Sequence, residues 1–158
     1  MLRPNSFGTR VGLAWSGNSA HQNDTRRTIP LSQWLQHLPE GLQFVSLQRD
    51  VRASDRPALE GHPRILDFSA DLREFSDTAA LCECLDLVIS VDTSAAHLSG
   101  SLGRRTWLLL PFHPDWRWLL GREDSPWYPT FKLYRQPAPG DWNAVFRSVS
   151  EDLLRVLL

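Results

Sequence analysis

Hydrophobic positions fall into short unbroken runs separated by longer stretches in which apolar residues recur at helical spacing. That alternation is the signal of a parallel α/β sheet. Arg10 to Trp15 (RVGLAW) reads as a first strand running into the turn residues Ser16, Gly17 and Asn18. A polar stretch, Ser19 to Thr28, precedes a short helix over Leu31 to Leu38, ended by Pro39 and Gly41. Leu42 to Leu47 is the second strand. A weak helix around Ala53 to Glu60 then leads through Gly61 and Pro63 to a third strand at Arg64 to Phe68.

The next unit has the strongest pattern. Ser76 reads as an N-cap with Asp77 in the first turn of a helix running to about Leu85. Leu87 to Val91 (LVISV) is uninterrupted, as expected of a central strand buried on both faces. Asp92 reads as the cap of a helix from Thr93 to Leu102 that stops at Gly103, and Arg105 to Leu110 is the fifth strand. Periodicity then vanishes from Pro111 to Thr130, a loop of about twenty residues, which is long for a compact domain. Phe131 to Arg135 is a sixth strand. From Asp141 an amphipathic helix runs to the end, its stripe formed by Trp142, Val145, Phe146, Val149, Leu153, Leu154 and Leu157. The expected architecture is a single domain over 1–158: a doubly wound, Rossmann-like α/β fold with a parallel sheet of about six strands.

A hydrophobic fraction of 42% allows a real core, and a net charge of -1 leaves no basic excess to displace counterions from a nucleic acid. Lys132 is the only lysine, so the cations are almost all arginine, which suits bidentate contacts to phosphate; a compositional bias of the genome accounts for the same count. MLRPNSFGTR has no apolar signal-peptide core, and no run approaches a membrane span. Cys82 and Cys84 stand two apart on a predicted helix, which suits two small buried hydrophobes better than a disulfide or a metal pair. The expectation is a soluble, cytoplasmic protein.

In an open parallel sheet, ligands bind beyond the C-terminal strand ends where strand order reverses. Two segments should converge there. In SVDTSAAH, a helix N-terminus offers free amides to an anion, with Asp92, Thr93, Ser94 and His97 beside it and His97 expected on the face of the two hydroxyls. In SGNSAHQNDTRRT, a Gly-Asn turn lets backbone approach a ligand, and Asn18, His21, Arg26 and Arg27 supply polar and cationic groups. Either set also reads as ordinary structure: a cap and a satisfied histidine, or a solvated charged loop. Neither a dinucleotide fingerprint nor a P-loop occurs, and no metal-ligand cluster is apparent. The tryptophans of the long loop read as core anchors or as stacking surfaces. Asp115, Trp116 and Arg122 are the residues there considered for sugar contact.

The run DFSADLREFSDTAALCECLDLVISVDTSAAHLSGSLGRRTWLLLP resembles the C-terminal, donor-binding domain of GT-B glycosyltransferases. It is most similar to the heptosyltransferase-like family (glycosyltransferase family 9), whose members carry an aspartate-threonine-x-x-x-histidine stretch at this turn. Here it reads Asp92 to His97. PFHPDWRWLLGREDSPWYPT and the opening VGLAWSGN…RRTIPL look like bacterial tetratricopeptide-repeat proteins fused to such a domain. The resemblance implies a nucleotide-diphosphate-sugar substrate held by Asp92, Thr93, Ser94 and His97, faced by Asn18, His21 and Arg27, with metal-independent, inverting sugar transfer. It also implies an acceptor domain that supplies the general base and precedes this one. With the first strand at about residue 10, the expectation is half of an enzyme, inactive alone, working with a missing N-terminal domain or a partner chain. A homodimer formed through the unpaired face is a further possibility. The alternatives are a non-catalytic binding or scaffold domain that keeps the half-fold, and half of a GT-B-like epimerase or phosphorylase.

Overall fold

The computed structural model describes residues 8–157, with side chains through Arg155. Six strands, β1 (Arg10–Ala14), β2 (Gln43–Ser46), β3 (Ile65–Asp67), β4 (Leu87–Val91), β5 (Thr106–Leu110) and β6 (Phe131–Arg135), form one sheet in the order β3-β2-β1-β4-β5-β6. Every adjacent pair is parallel. The expected doubly wound, Rossmann-like α/β fold is therefore present. Strand order reverses between β1 and β4, whose register pairs Ala14 with Ser90 at the C-terminal edge.

Helices cover both faces, and strand alternation decides which residues meet them. Val11, Leu13, Ile89, Val91, Trp107 and Leu109 face α2 (Leu31–Leu35), α3 (Arg56–Glu60) and α6 (Trp142–Leu157). Their neighbours Ala14, Val45, Val88 and Leu108 face α4 (Phe75–Glu83), α5 (Ser94–Ser101) and the long loop. β4 and β5 are buried at every position, which is why both read as continuous apolar runs. The terminal helix belongs to this core: Trp142, Val145, Phe146, Val149 and Leu153 pack with Trp34 and Trp107, and Trp34 stacks on Phe146 at 6.2 Å. Leu154 of the expected stripe is half exposed, and Leu157 lies outside the described side chains.

Several boundaries differ from the sequence pattern for local reasons. The polar stretch contains a helical turn, α1 (Asp24–Arg27), with its acid in the first turn and its arginines in the last, where each suits the helix dipole. Ser76 is not the cap of α4. Glu74, two residues earlier, holds the N-cap position, and Asp77 Oδ2 accepts from the amides of Arg73 and Glu74. Asp92 does not cap α5 either; Thr93 holds the N-cap position in extended backbone, because the Asp92 carboxylate is taken up elsewhere. Cys82 is buried as expected, but Cys84 sits past the end of α4 and is exposed, and both are free thiols.

The loop from Pro111 to Thr130 is held by its centre. A 3-10 turn, Trp116–Trp118, places Trp118 in full burial against Phe131, with Tyr128 packed beside it. Gly100 makes this docking possible, since a Cβ there would strike the rings of Tyr128 and Phe131. Trp116 and Trp127 stay exposed.

Candidate binding crevice at the sheet switch point

A cavity of about 700 Å³ opens where strand order reverses, within the size range of small-molecule sites. Its inner wall comes from the end of β1 and the turn after it: Ala14, Ser16, Gly17 and Asn18. The start of α5 contributes Thr93, Ser94 and Ala95, Arg27 borders the cavity between Gly17 and the Asp92 carbonyl, and the β2–α3 loop with the start of α4 forms the far side.

The α5 end presents backbone amides to the cavity. The first amides of a helix have no intrahelical acceptor, and the Thr93 side chain caps none of them. Its hydroxyl lies 3.1 Å from Ser90 Oγ instead. Opposite, Ser16 is buried to 3% exposure, and its Oγ finds no hydrogen-bond partner among the described residues although the residue borders the cavity. Its backbone is fixed by Gln48, whose side chain accepts from the Trp15 and Ser16 amides and donates to the Ser16 carbonyl at 2.9 Å. Arg27 donates to the Asp92 carbonyl at 2.6 Å, tying the β1 loop to the end of β4. Its guanidinium rests where a side chain of Gly17 would be: a Cβ there would lie 2.7 Å from Arg27 Cζ. Arg52 is engaged behind it, pairing with buried Asp24.

Four of the residues expected from sequence therefore meet at one cavity: Asn18, Arg27, Thr93 and Ser94. His21 and Arg26 are exposed and do not border it. Asp92 and His97 lie on the opposite side of α5, facing the long loop. His97 stacks on Trp118 at 5.5 Å, its Nδ1 is 2.9 Å from the Tyr128 hydroxyl, and its Nε2 is 3.4 Å from Asp92 Oδ1. Thr93 and Ser94 thus border the cavity while His97 packs against the long loop, so the three do not meet at one surface as the spacing suggested. Burial pushes the Asp92 carboxyl up, but hydrogen bonds from His97 and Trp118, with the charges of His97 and Arg117, hold it below the usual carboxylate value. Asp115 pairs with Arg117 at 3.1 Å and Arg122 with Asp124 at 2.7 Å, while Trp116 is 73% exposed. All three serve or decorate the loop and do not border the cavity.

Ser16, Gln48, Arg52 and Phe75 escaped the sequence reading as site residues. The signal for Gln48 was its place just past the second strand, the next C-terminal edge beside the switch point. Phe75 is invisible to pattern reasoning, because a lone aromatic before a helix looks like core. Among the described residues, no group of three or more His, Cys, Asp or Glu is placed to hold a metal ion, and no helix is long and apolar enough to cross a membrane.

Fold and crevice together define a Rossmann-like α/β domain with a ligand-sized cavity at its switch point. No established family profile matches the chain. It is similar to protein FlbA of Caulobacter vibrioides, with 30% identity over 155 residues, an alignment that takes in 92% of this chain and 25% of FlbA. The chain thus spans about a quarter of the length of the relative it matches.

Proposed function

We propose that the crevice binds the diphosphate of a nucleotide-diphosphate sugar, as the donor-binding half of a GT-B glycosyltransferase similar to the heptosyltransferase-like family. The observation that carries this reading is the convergence on one cavity of the α5 N-terminus, which no side chain of its N-cap residue caps, the Ser16 hydroxyl, which has no partner among the described residues, and Arg27. A helix N-terminus and a guanidinium stabilise the negative charge that develops on a departing diphosphate, so such a site favours the leaving group without a metal. The acceptor hydroxyl and its general base come, in this reading, from a second domain or a partner chain, and the association with tetratricopeptide repeats belongs to the same proposal. Two free thiols agree with a cytoplasmic setting. His97 acts through Asp92 and the loop rather than on the donor itself.

Thermal unfolding of the purified chain with millimolar pyrophosphate, ADP, UDP and GDP tests it. Ligand at about 100 times its Kd stabilises by about 2.7 kcal/mol, a clear rise in Tm. Ser94→Glu, which sets a carboxylate at the exposed helix N-terminus, should abolish the rise. No rise with any of the four ligands, or one indifferent to Ser94→Glu, overturns the reading.

A further inference from the structure

The anion end occupies only part of the cavity. Its far side lies beyond β1, about 10 Å from β4 at two interstrand steps, and its residues have a different chemistry. Asp50 and Glu74 stand there beside Arg49 and Arg52, so a second phosphate gains little at that end. Phe75, the first residue of α4, borders the same region and is 64% exposed, an unusual state for a large apolar side chain on the wall of a cavity. Leu47 and Val51 line that region as well. An open ring with mixed, nearly balanced charge around it suits a flat, neutral, polar heterocycle, which stacks on the ring and offers edge groups to the carboxylates and guanidinium.

We propose that Phe75 is the stacking platform for the base of a nucleoside diphosphate whose phosphates lie at Ser16 and the α5 N-terminus. The inference rests on the donor-site reading above. It makes Phe75 a specificity-determining residue: the ring separates a nucleoside diphosphate from bare pyrophosphate, which fills only the α5 end.

Affinities of the full chain for pyrophosphate and for the tightest of ADP, UDP and GDP, measured by calorimetry, test it. In the wild type the nucleotide should bind more tightly than pyrophosphate. Phe75→Ala should weaken the nucleotide about ten- to a hundredfold, the range for losing one base–aromatic stack, and leave pyrophosphate unchanged. Phe75→Trp should keep nucleotide affinity within about threefold, since the larger ring stacks as well. The exposed position makes unfolding of either variant easy to exclude by circular dichroism. Equal affinity for nucleotide and pyrophosphate in the wild type overturns the inference while the anion site stands. So does a nucleotide affinity that Phe75→Ala leaves unchanged. Absence of binding by either ligand overturns the donor-site reading and this inference with it.

Discussion

The indole N–H of Trp118 donates to the Asp92 carboxylate at 2.9 Å across 26 residues of chain. One end of Asp92 thereby grips the long loop, while its carbonyl accepts from Arg27 on the cavity side. The turn that leads into α5 is thus fixed from both faces of the sheet edge by a single residue. An aspartate expected to cap a helix or touch a phosphate instead ties the turn before α5 to the long loop and to Arg27.

Trp118→Phe keeps most of the ring but removes the donor. A hydrogen bond to a buried charged group is worth about 1.5–3 kcal/mol, and His97 remains as a second partner for the carboxylate. Chemical denaturation should therefore show a loss of about 2 kcal/mol with an unchanged slope. A loss no larger than that of an exposed control, Trp116→Phe, would mean that the indole donor contributes nothing.

Asp92 also sets an acid dependence. Its carboxyl lies below the ordinary value of 3.8, so the folded chain favours the ionised form more than the unfolded chain does. The resulting stability is complete above the unfolded value and is lost as pH falls through the lower folded value. Wild-type stability should drop on acidification below about pH 4, and Asp92→Asn should show a shallower drop in that window from a lower plateau. Asp152 acts in the same sense: burial raises its carboxyl, but hydrogen bonds from Lys132 and Tyr134 and the nearby cations hold it low. An unchanged slope in Asp92→Asn would assign the acid dependence to Asp152 and other carboxylates.

The sheet was legible because burial on both faces leaves an unbroken apolar run, and β4 and β5 are the plainest cases. Helix ends were less so. Ser76 and Asp92 both have the chemistry of a cap, but a nearby carboxylate in one case and a distant indole in the other decided the outcome, and tertiary partners leave no mark in local spacing. The crevice was legible at Thr93, Ser94, Asn18 and Arg27, since strand ends at a switch point follow from strand order. His97 was misplaced because i, i+4 spacing fixes neighbours on a helix but not which neighbour faces the ligand. Ser16 and Phe75 depend on exposure, which only the folded chain reveals.

The end of α6 offers a contrast within one helix. Phe146 is fully buried between Trp34, His37 and Trp142, whereas Leu154 is half exposed. Phe146→Ala should cost about 3–5 kcal/mol in denaturant titrations, and Leu154→Ala less than about 1 kcal/mol. Similar losses for the two would mean that α6 frays or docks differently in solution.

Gly17 tests the proposed anion site through backbone alone. The Arg27 guanidinium lies over its Cα where no side chain intervenes, held there by its hydrogen bond to the Asp92 carbonyl. Gly17→Ala should therefore cost about 1.5–3 kcal/mol of stability, the worth of the charge-assisted hydrogen bond from Arg27 to the Asp92 carbonyl that it breaks. It should also displace the cation from the cavity. Pyrophosphate affinity should then fall by about tenfold, the order of one lost charge-assisted contact, and Arg27→Ala should lower it similarly. Because both changes remove the same interaction, the double variant should bind no more weakly than the weaker single one. Additive losses would show instead that Gly17 contributes by direct backbone approach to the ligand, with Arg27 acting independently.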